Sequence, residues 1–325
     1  MSIKNVRIKN FTVFNDIEIE FGKGVNVIIG ENGTGKTHLM KAMYVHNLKM
    51  NQDKKADMDD YFKASTIPYR LQEEMYVPNE QISLIKKEPD LTIFNLARES
   101  HISVVGNTNK SAVYIPAKDM LTHSKGLLEM AKKYSKDMPF DKTLLDIIEI
   151  SKYWKVNTIP EIGLNVLLKL EKLIGGKVVL ENDTFYIKKT NGDLTEFSME
   201  AEGIKKIAIL WQLIMNESIT KGSVLFWDEP EANINPSLYK DVAEILLELS
   251  RNGVQIFFAT HNYNFAKYME VLSEDSDNVH YHSLYKTDDG VKCETETKFA
   301  LLSNNALRED NINLYDAEMK KEFEE

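Results

Sequence analysis

Val25-Asn26-Val27-Ile28-Ile29, running straight into Gly30-Glu31-Asn32-Gly33-Thr34-Gly35-Lys36-Thr37, decides the fold of this chain. The first five residues are a short, nearly continuous apolar run, the pattern of a strand buried on both faces. The next eight match G-x-x-x-x-G-K-[ST] in full. Its glycines let the backbone curl so that successive N–H groups point at phosphate oxygens. A helix expected from about residue 35 to 48 turns the positive end of its dipole toward the same anion. Lys36 supplies a point charge for the β and γ phosphates. The Thr37 hydroxyl suits Mg²⁺, which prefers hard oxygen ligands. Gly30, Glu31, Asn32, Gly33, Thr34, Gly35, Lys36, Thr37 and His38 are therefore the expected ATP-binding residues. A chance glycine-rich turn explains the motif poorly, because strand and helix flank it as the mechanism requires.

Further along, Val224-Leu225-Phe226-Trp227-Asp228-Glu229-Pro230 is an apolar strand ending in two acids. Such a strand delivers carboxylates to the carboxyl edge of a parallel sheet, where open α/β folds bind ligands. Asp228 is the expected Mg²⁺ partner, and Glu229 the general base for an attacking water. Gln255-Ile256-Phe257-Phe258-Ala259-Thr260-His261-Asn262 is a second buried strand ending in His. A lone His there would more often cap the next helix. Its spacing from the acids favours a γ-phosphate sensor. Lys36, Glu229 and His261 are the expected catalytic residues, with Thr37 and Asp228 on the metal.

Bulk composition narrows the class. The chain has 325 residues, 43% hydrophobic, with a formal net charge of −10 that argues against coating nucleic acid by bulk charge. One cysteine, Cys293, allows no internal disulfide and fits a reducing compartment. The N-terminus lacks a signal-peptide core, and the longest apolar stretch, residues 207–215, is far short of a membrane span. The expectation is a cytoplasmic protein with no membrane partner.

The alternation over residues 3–21 reads as two strands with a turn near Asn10. Strand-like runs at 91–96, 101–105 and 111–115 are expected to extend that antiparallel lobe, and residues 49–90 carry no clear pattern. Residues 119–174 read as three short helices interrupted by Pro139 and Pro160, a compact lid rather than a long coiled-coil arm. Gly175-Gly176 ends the third helix and a hairpin follows. Helix 201–217, strand 223–228, helix 236–251, strand 254–260, helix 263–272 and strand 278–285 read as βαβ units. The acidic tail, 309–325, reads as frayed or helical, and Asp275–Asp277 with Asp288-Asp289-Gly290 as turns.

With these pieces in this order the chain resembles the ABC-type ATPases. It is most similar to the branch holding the RecF-type, chromosome-maintenance (SMC) and overcoming-lysogenization-defect (OLD) proteins, relatives of the AAA-family ATPases found in anti-phage systems. The similarity lies in Ile3-Lys4-Asn5-Val6-Arg7-Ile8-Lys9-Asn10-Phe11, in Trp227-Asp228-Glu229-Pro230-Glu231-Ala232-Asn233-Ile234-Asn235-Pro236, and in Ala259-Thr260-His261-Asn262. The resemblance implies an α/β P-loop NTPase of ABC-ATPase head type. It would have a mixed central sheet, an N-terminal antiparallel β lobe and a helical lid insertion. The parts would be 1–118, the first half of the head; 119–176, the insertion; 177–300, the second half; and 301–325, a tail. It further implies ATP and Mg²⁺ as ligands, and a homodimer with ATP sandwiched between two heads.

The counterpart signature is Ser198-Met199-Glu200-Ala201-Glu202-Gly203-Ile204-Lys205-Lys206, in which Gly203 would face the opposite γ-phosphate. Ala201 stands where the usual serine would be and Glu202 where a glycine would be. A plain amphipathic helix also accounts for this segment: Ile204, Ile207, Ala208, Trp211 and Met215 share one face. The usual Q-loop glutamine is missing after Tyr114-Ile115-Pro116, so either Lys118 or Asp119 replaces it or the Q-loop lies elsewhere. Stand-alone ATPases of this branch act beside a separately encoded nuclease or toxin, which implies such an effector here, and no Toprim nuclease domain of OLD type is expected. DNA is the alternative partner; Lys125, Lys132, Lys133 and Lys136 would be its contacts, although a solvated helix face explains them better. The rival functions are a nucleotide-gated module with negligible turnover and a RecF-like DNA-repair ATPase.

Overall fold

The computed structural model describes residues 2–50, 58–62, 91–97, 100–106, 111–134, 140–153, 160 and 162–323. Its centre is a six-stranded sheet of order β13-β12-β3-β11-β10-β6. The strands are β3 (Val25–Gly30), β6 (Ala112–Ile115), β10 (Val224–Asp228), β11 (Gln255–Ala259), β12 (His280–Thr287) and β13 (Gly290–Glu296). All pairings are parallel except β12 with β13. The four parallel strands β3, β6, β10 and β11 are buried along their whole length, which is why they read as continuous apolar runs rather than alternating ones.

Alternate side chains of those strands feed two cores. Val25, Val27, Ile29, Leu225, Trp227, Ile256 and Phe258 face one core, and Ile28, Val224, Phe226, Phe257 and Ala259 the other. The first core is closed by five helices: α4 (Lys142–Ser151), α5 (Leu164–Ile174), α6 (Glu202–Met215), α7 (Tyr239–Arg251) and α8 (Tyr263–Leu272). The second is closed by α1 (Lys36–Met50), the short α2 (Met58–Tyr61) and an antiparallel sheet of order β2-β1-β5-β4. That sheet contains β1 (Ile3–Phe11), β2 (Phe14–Glu20), β4 (Leu91–Ala97) and β5 (Ser100–Gly106). A three-stranded sheet of β7 (Gly176–Glu181), β8 (Thr184–Lys189) and β9 (Leu194–Glu196) leads into α6. The helical insertion begins with α3 (Leu127–Lys133) and continues through α4 and α5, whose buried side chains are part of the first core.

One strand falls elsewhere than the sequence suggested. The run at 111–115 does not extend the antiparallel lobe. As β6 it pairs parallel with β10, Val113 opposite Leu225, at the edge of the central sheet. All four of its residues are buried, and a strand without a polar face belongs inside a covered parallel sheet. The region expected to form a helix from 236 instead opens with a 3-10 turn at Pro236–Leu238, where the Asn235 side chain accepts from Ser237 N. The tail forms a helix, α9 (Ala306–Phe323), none of whose residues is buried.

Candidate functional site

Parallel register brings the motif-bearing strand ends to one edge. Ile28 lies opposite Ala259, and Asp228 opposite the same Ala259. Gly30, Asp228, Glu229 and His261 therefore emerge together. Gly30 ends β3 at φ +144°, and a Cβ there would lie 2.2 Å from the Leu284 carbonyl, so only glycine lets the loop leave the sheet here. Residues 31–33 are exposed, Thr34 is buried with its hydroxyl donating to Glu31 O at 2.9 Å, and Gly35 leads into α1.

Lys36 is buried, and its Nζ donates to Gly30 O at 2.8 Å and Glu31 O at 2.9 Å. Burial lowers its pKa to about 8, against the pull of Asp228 and Glu229. The ammonium is thus folded back on its own loop and held by neutral carbonyls, placed to exchange them for an anion. The Thr37 hydroxyl donates to Asp228 Oδ2 at 2.9 Å, with the Tyr114 hydroxyl 3.4 Å from the same oxygen. Burial raises the pKa of Asp228. A hydroxyl and a carboxylate in contact are a hard-oxygen pair that fits Mg²⁺. Among the described residues no group of three or more His, Cys, Asp or Glu forms a metal cage. This is the sparse protein donor set with which Mg²⁺ keeps phosphate and water ligands. The His38 ring packs edge-on against Phe62 at 5.5 Å, and burial lowers its pKa to about 4.

Glu229 sits at φ +49°, a conformation unusual for a residue with a side chain. Two hydrogen bonds hold its backbone there: its N–H donates to Ala259 O at 3.0 Å and its carbonyl accepts from Lys206 Nζ at 2.8 Å. Its Oε1 lies 3.7 Å from His261 Nε2. Burial and then the nearby Lys36 lower the His261 pKa. Glu229 and His261 both remain about one-third exposed at the side chain, open to a ligand on the loop.

Gly203 lies in the first turn of α6. A Cβ there would come 2.8 Å from Asn233 O, so glycine is needed for the helix to approach the turn after β10. The helix N-cap is Ala201, which makes no side-chain capping hydrogen bond. Asp119 does not reach toward the acids. Its Oδ1 accepts from Leu121 N at 2.9 Å, its Oδ2 also accepts from Thr122 Oγ1, and Lys205 is 3.6 Å away; Lys118 is exposed. Lys125, Lys132 and Lys133 are exposed near α3, and Lys136 lies outside the described residues.

Four residues of the quoted runs had been given no role of their own: Lys206, Glu231, Thr260 and Tyr114. Lys205 and Lys206, adjacent at the start of a mostly apolar helix, are both buried, an uncommon place for lysine. Glu231 and Thr260 lay inside quoted runs but carried no spacing signal.

A family model described as "AAA domain, putative AbiEii toxin, Type IV TA system" matches residues 47–266, and a second, "AAA domain", matches residues 5–45. The chain belongs to this AAA-domain family. Within it the chain is an ABC-type P-loop ATPase of the RecF/SMC branch. It is 30% identical over 143 residues to the DNA replication and repair protein RecF of Pediococcus pentosaceus, covering 43% of this chain and 37% of that one. With RecF of Bacillus cytotoxicus the identity is 29% over 165 residues, covering 49% and 42%. The chain thus spans about two fifths of the length of these curated relatives. An Smc head bound to the C-terminal winged-helix domain of ScpA shares the fold at a TM-score of 0.54 and 16% identity, covering 92% of this chain and 99% of that one. The Smc head with an extended coiled coil, bound to the C-terminal domain of ScpA from Pyrococcus furiosus, gives 0.53 at 15% identity, covering 97% and 98%. No described helix is long and apolar enough to cross a membrane.

Proposed function

We propose that this chain is a Mg²⁺-dependent ATP hydrolase that works as a switch. The observation that carries the reading is the convergence of Lys36, Thr37, Asp228, Glu229 and His261 at one sheet edge. Lys36 binds the β and γ phosphates once it leaves the Gly30 and Glu31 carbonyls. Thr37 and Asp228 would hold the metal, which offsets phosphate charge when bound. Glu229 takes a proton from water as the water oxygen bonds to the γ-phosphorus and the bond to the β-phosphate oxygen breaks, giving ADP and phosphate. His261 orients Glu229 and senses the γ-phosphate. His38 and residues 30–35 line the loop.

In the same reading, two copies sandwich ATP. Gly203 at the start of α6 in one copy faces the nucleotide on the loop of the other, and the uncapped N–H groups beside Ala201 suit an anion. The split head, residues 1–118 and 177–300 with the insertion 119–176 between them, would pass the nucleotide state to a separately encoded nuclease or toxin in the cytoplasm. The family description, which names a type IV TA system, supports a place in a toxin–antitoxin pair, and the resemblance to ATPases of anti-phage systems extends that reading to phage defence. RecF similarity favours DNA as a second candidate partner, with the exposed lysines near α3 as its contacts. The missing serine at Ala201 favours a slow or silent module as the other rival.

The test is direct. The purified protein should hydrolyse ATP, and Glu229→Gln should stop turnover while an ATP-bound dimer accumulates. Equal hydrolysis by the two would remove Glu229 from catalysis. Tight binding with no product from the wild type would establish the module instead. DNA-stimulated turnover that falls steeply with salt would establish the RecF-like alternative.

A further inference from the structure

We propose that Glu231 is a positioning residue of the ATPase site, joining the turn after β10 to the strand end that carries His261, so that Glu229 and His261 are set as one unit. The proposal rests on the reading of Glu229 and His261 given above. Glu231 is 6% exposed. Its Oε1 accepts from Thr260 Oγ1 at 2.6 Å and from His261 N at 3.3 Å. Thr260 is fully buried; its hydroxyl also accepts from Asn262 N at 3.0 Å, and Asn262 in turn caps α8 at Phe265 N. On its own side of the site, Glu231 O accepts from Ile234 N at 3.0 Å, while Glu229 O accepts from Ala232 N at 3.1 Å. One carboxylate therefore ties a turn of positive-φ residues, Glu229 and Asn233, to a strand end and the helix beyond it.

The choice of an acid is informative. Oε1 alone serves both donors, and a glutamine could do the same, yet the second oxygen, Oε2, is buried without a hydrogen-bond partner. What the acid adds is charge. Lys206, 2% exposed, donates to Glu229 O at 2.8 Å; burial lowers its pKa, and the charges of Glu231, Glu229 and Asp228 oppose that. Glu231 thus holds the strand end by one hydrogen bond from the Thr260 hydroxyl and one from His261 N, and its charge favours the buried Lys206 ammonium that holds Glu229 O. The ionisable groups facing Glu231 are Lys206 from α6, Glu229 from the same turn, His261 from the end of β11 and Tyr239 from α7. Burial lifts its carboxyl to about 6.

The test uses the full chain with Mg²⁺ and ATP, and compares wild type, Glu231→Gln, Glu231→Ala, Thr260→Val and the double variant of the last two. Losing a hydrogen bond or charge of this kind should lower single-turnover hydrolysis about tenfold or more. ATP affinity should stay within about twofold. Glu231→Ala, which also removes the bonds from Thr260 and His261, should combine with Thr260→Val to lower the rate by less than the product of those two singles. The wild-type rate should drop as pH falls through the region of the Glu231 carboxyl, and Glu231→Gln should lack that limb. Turnover like wild type, or affinity and stability lost in step with rate, would reduce Glu231 to packing. If the wild type does not hydrolyse ATP, the functional reading fails on its own. Amide hydrogen exchange at residues 260–262 then decides. Faster exchange at His261 in Glu231→Ala supports the tie; unchanged exchange there overturns it.

Discussion

At the amino end of the central sheet, Gln255 donates to Ile3 O and Gly22 O and accepts from Ile3 N, all within 2.9 Å. Asn26, one strand over, donates to Gly22 O and accepts from Gly22 N. Arg251 grips Asp277 through two bonds of 2.7 Å. At the carboxyl end of the same sheet, Lys36 is folded onto its own loop, Glu229 adopts φ +49°, and Glu231 keeps a buried oxygen with no partner. At the amino end these three side chains are matched by fixed partners; at the carboxyl end Lys36 is placed to change partners when a ligand arrives. A sheet can carry such a strained edge because the opposite edge over-determines the fold.

This contrast yields graded predictions. The largest effect belongs to the carboxyl end. Glu229→Gln should lower the hydrolysis rate about 10²–10⁴-fold, as loss of a general base does, while its melting temperature stays near wild type. Rapid-quench kinetics beside calorimetry would show this, and a large loss of stability instead would break the division between the ends. At the amino end the pattern reverses. Gln255→Ala should cost about 2–4 kcal/mol, since several buried backbone groups lose their partner, with ATP affinity unchanged in the folded fraction. Urea unfolding with a parallel binding titration measures both.

Gly203→Ala sits between the two classes. Its Cβ would press on Asn233 O at 2.8 Å, so about 1–3 kcal/mol of stability should go together with some turnover, as α6 backs away from the turn. Asp277→Asn should be milder, about 1–2 kcal/mol, because Arg251 is about half-exposed. The Arg251 hydrogen bond holds the Asp277 carboxyl below its ordinary range. Its contribution is therefore present above the ordinary carboxylate pKa and lost as pH falls through the lowered value, so the stability curves of variant and wild type should converge in acid. The smallest effect is at Cys293. Burial pushes its thiol up to about 12, so iodoacetamide at neutral pH should label native protein far more slowly than unfolded protein.

The loop at 30–37 and the acids at 228–229 were legible because each motif couples a local pattern to a local backbone need. A glycine run must turn, and a β-branched run must pair. The position of β6 was not legible from alternation, because a four-residue strand gives no period and its partner lies more than a hundred residues later. Lys206 and Glu231 escaped for a related reason. Their roles depend on a carbonyl and a hydroxyl brought near only by folding, and nothing in the local sequence states which partner a buried charge will meet. Gly203 was singled out for a contact across a dimer, whereas the structure shows a packing reason within its own chain. Its approach to Asn233 within its own chain is a packing requirement that stands beside any contact across a dimer.

The strand order also bears on how the protein is made. β3 lies between β11 and β12, with Ile28 opposite Ala259 and Gly30 opposite Leu284. The strand that carries the phosphate loop leaves the ribosome early, yet both its neighbours are translated in the last third of the chain. At ordinary elongation rates it waits roughly ten to fifty seconds without a sheet partner. No nucleotide can help to fold the nascent chain during that interval, since the loop has no frame to hold it. Chains truncated before β11 should bind no ATP by filter binding, even though they contain the whole phosphate-loop motif.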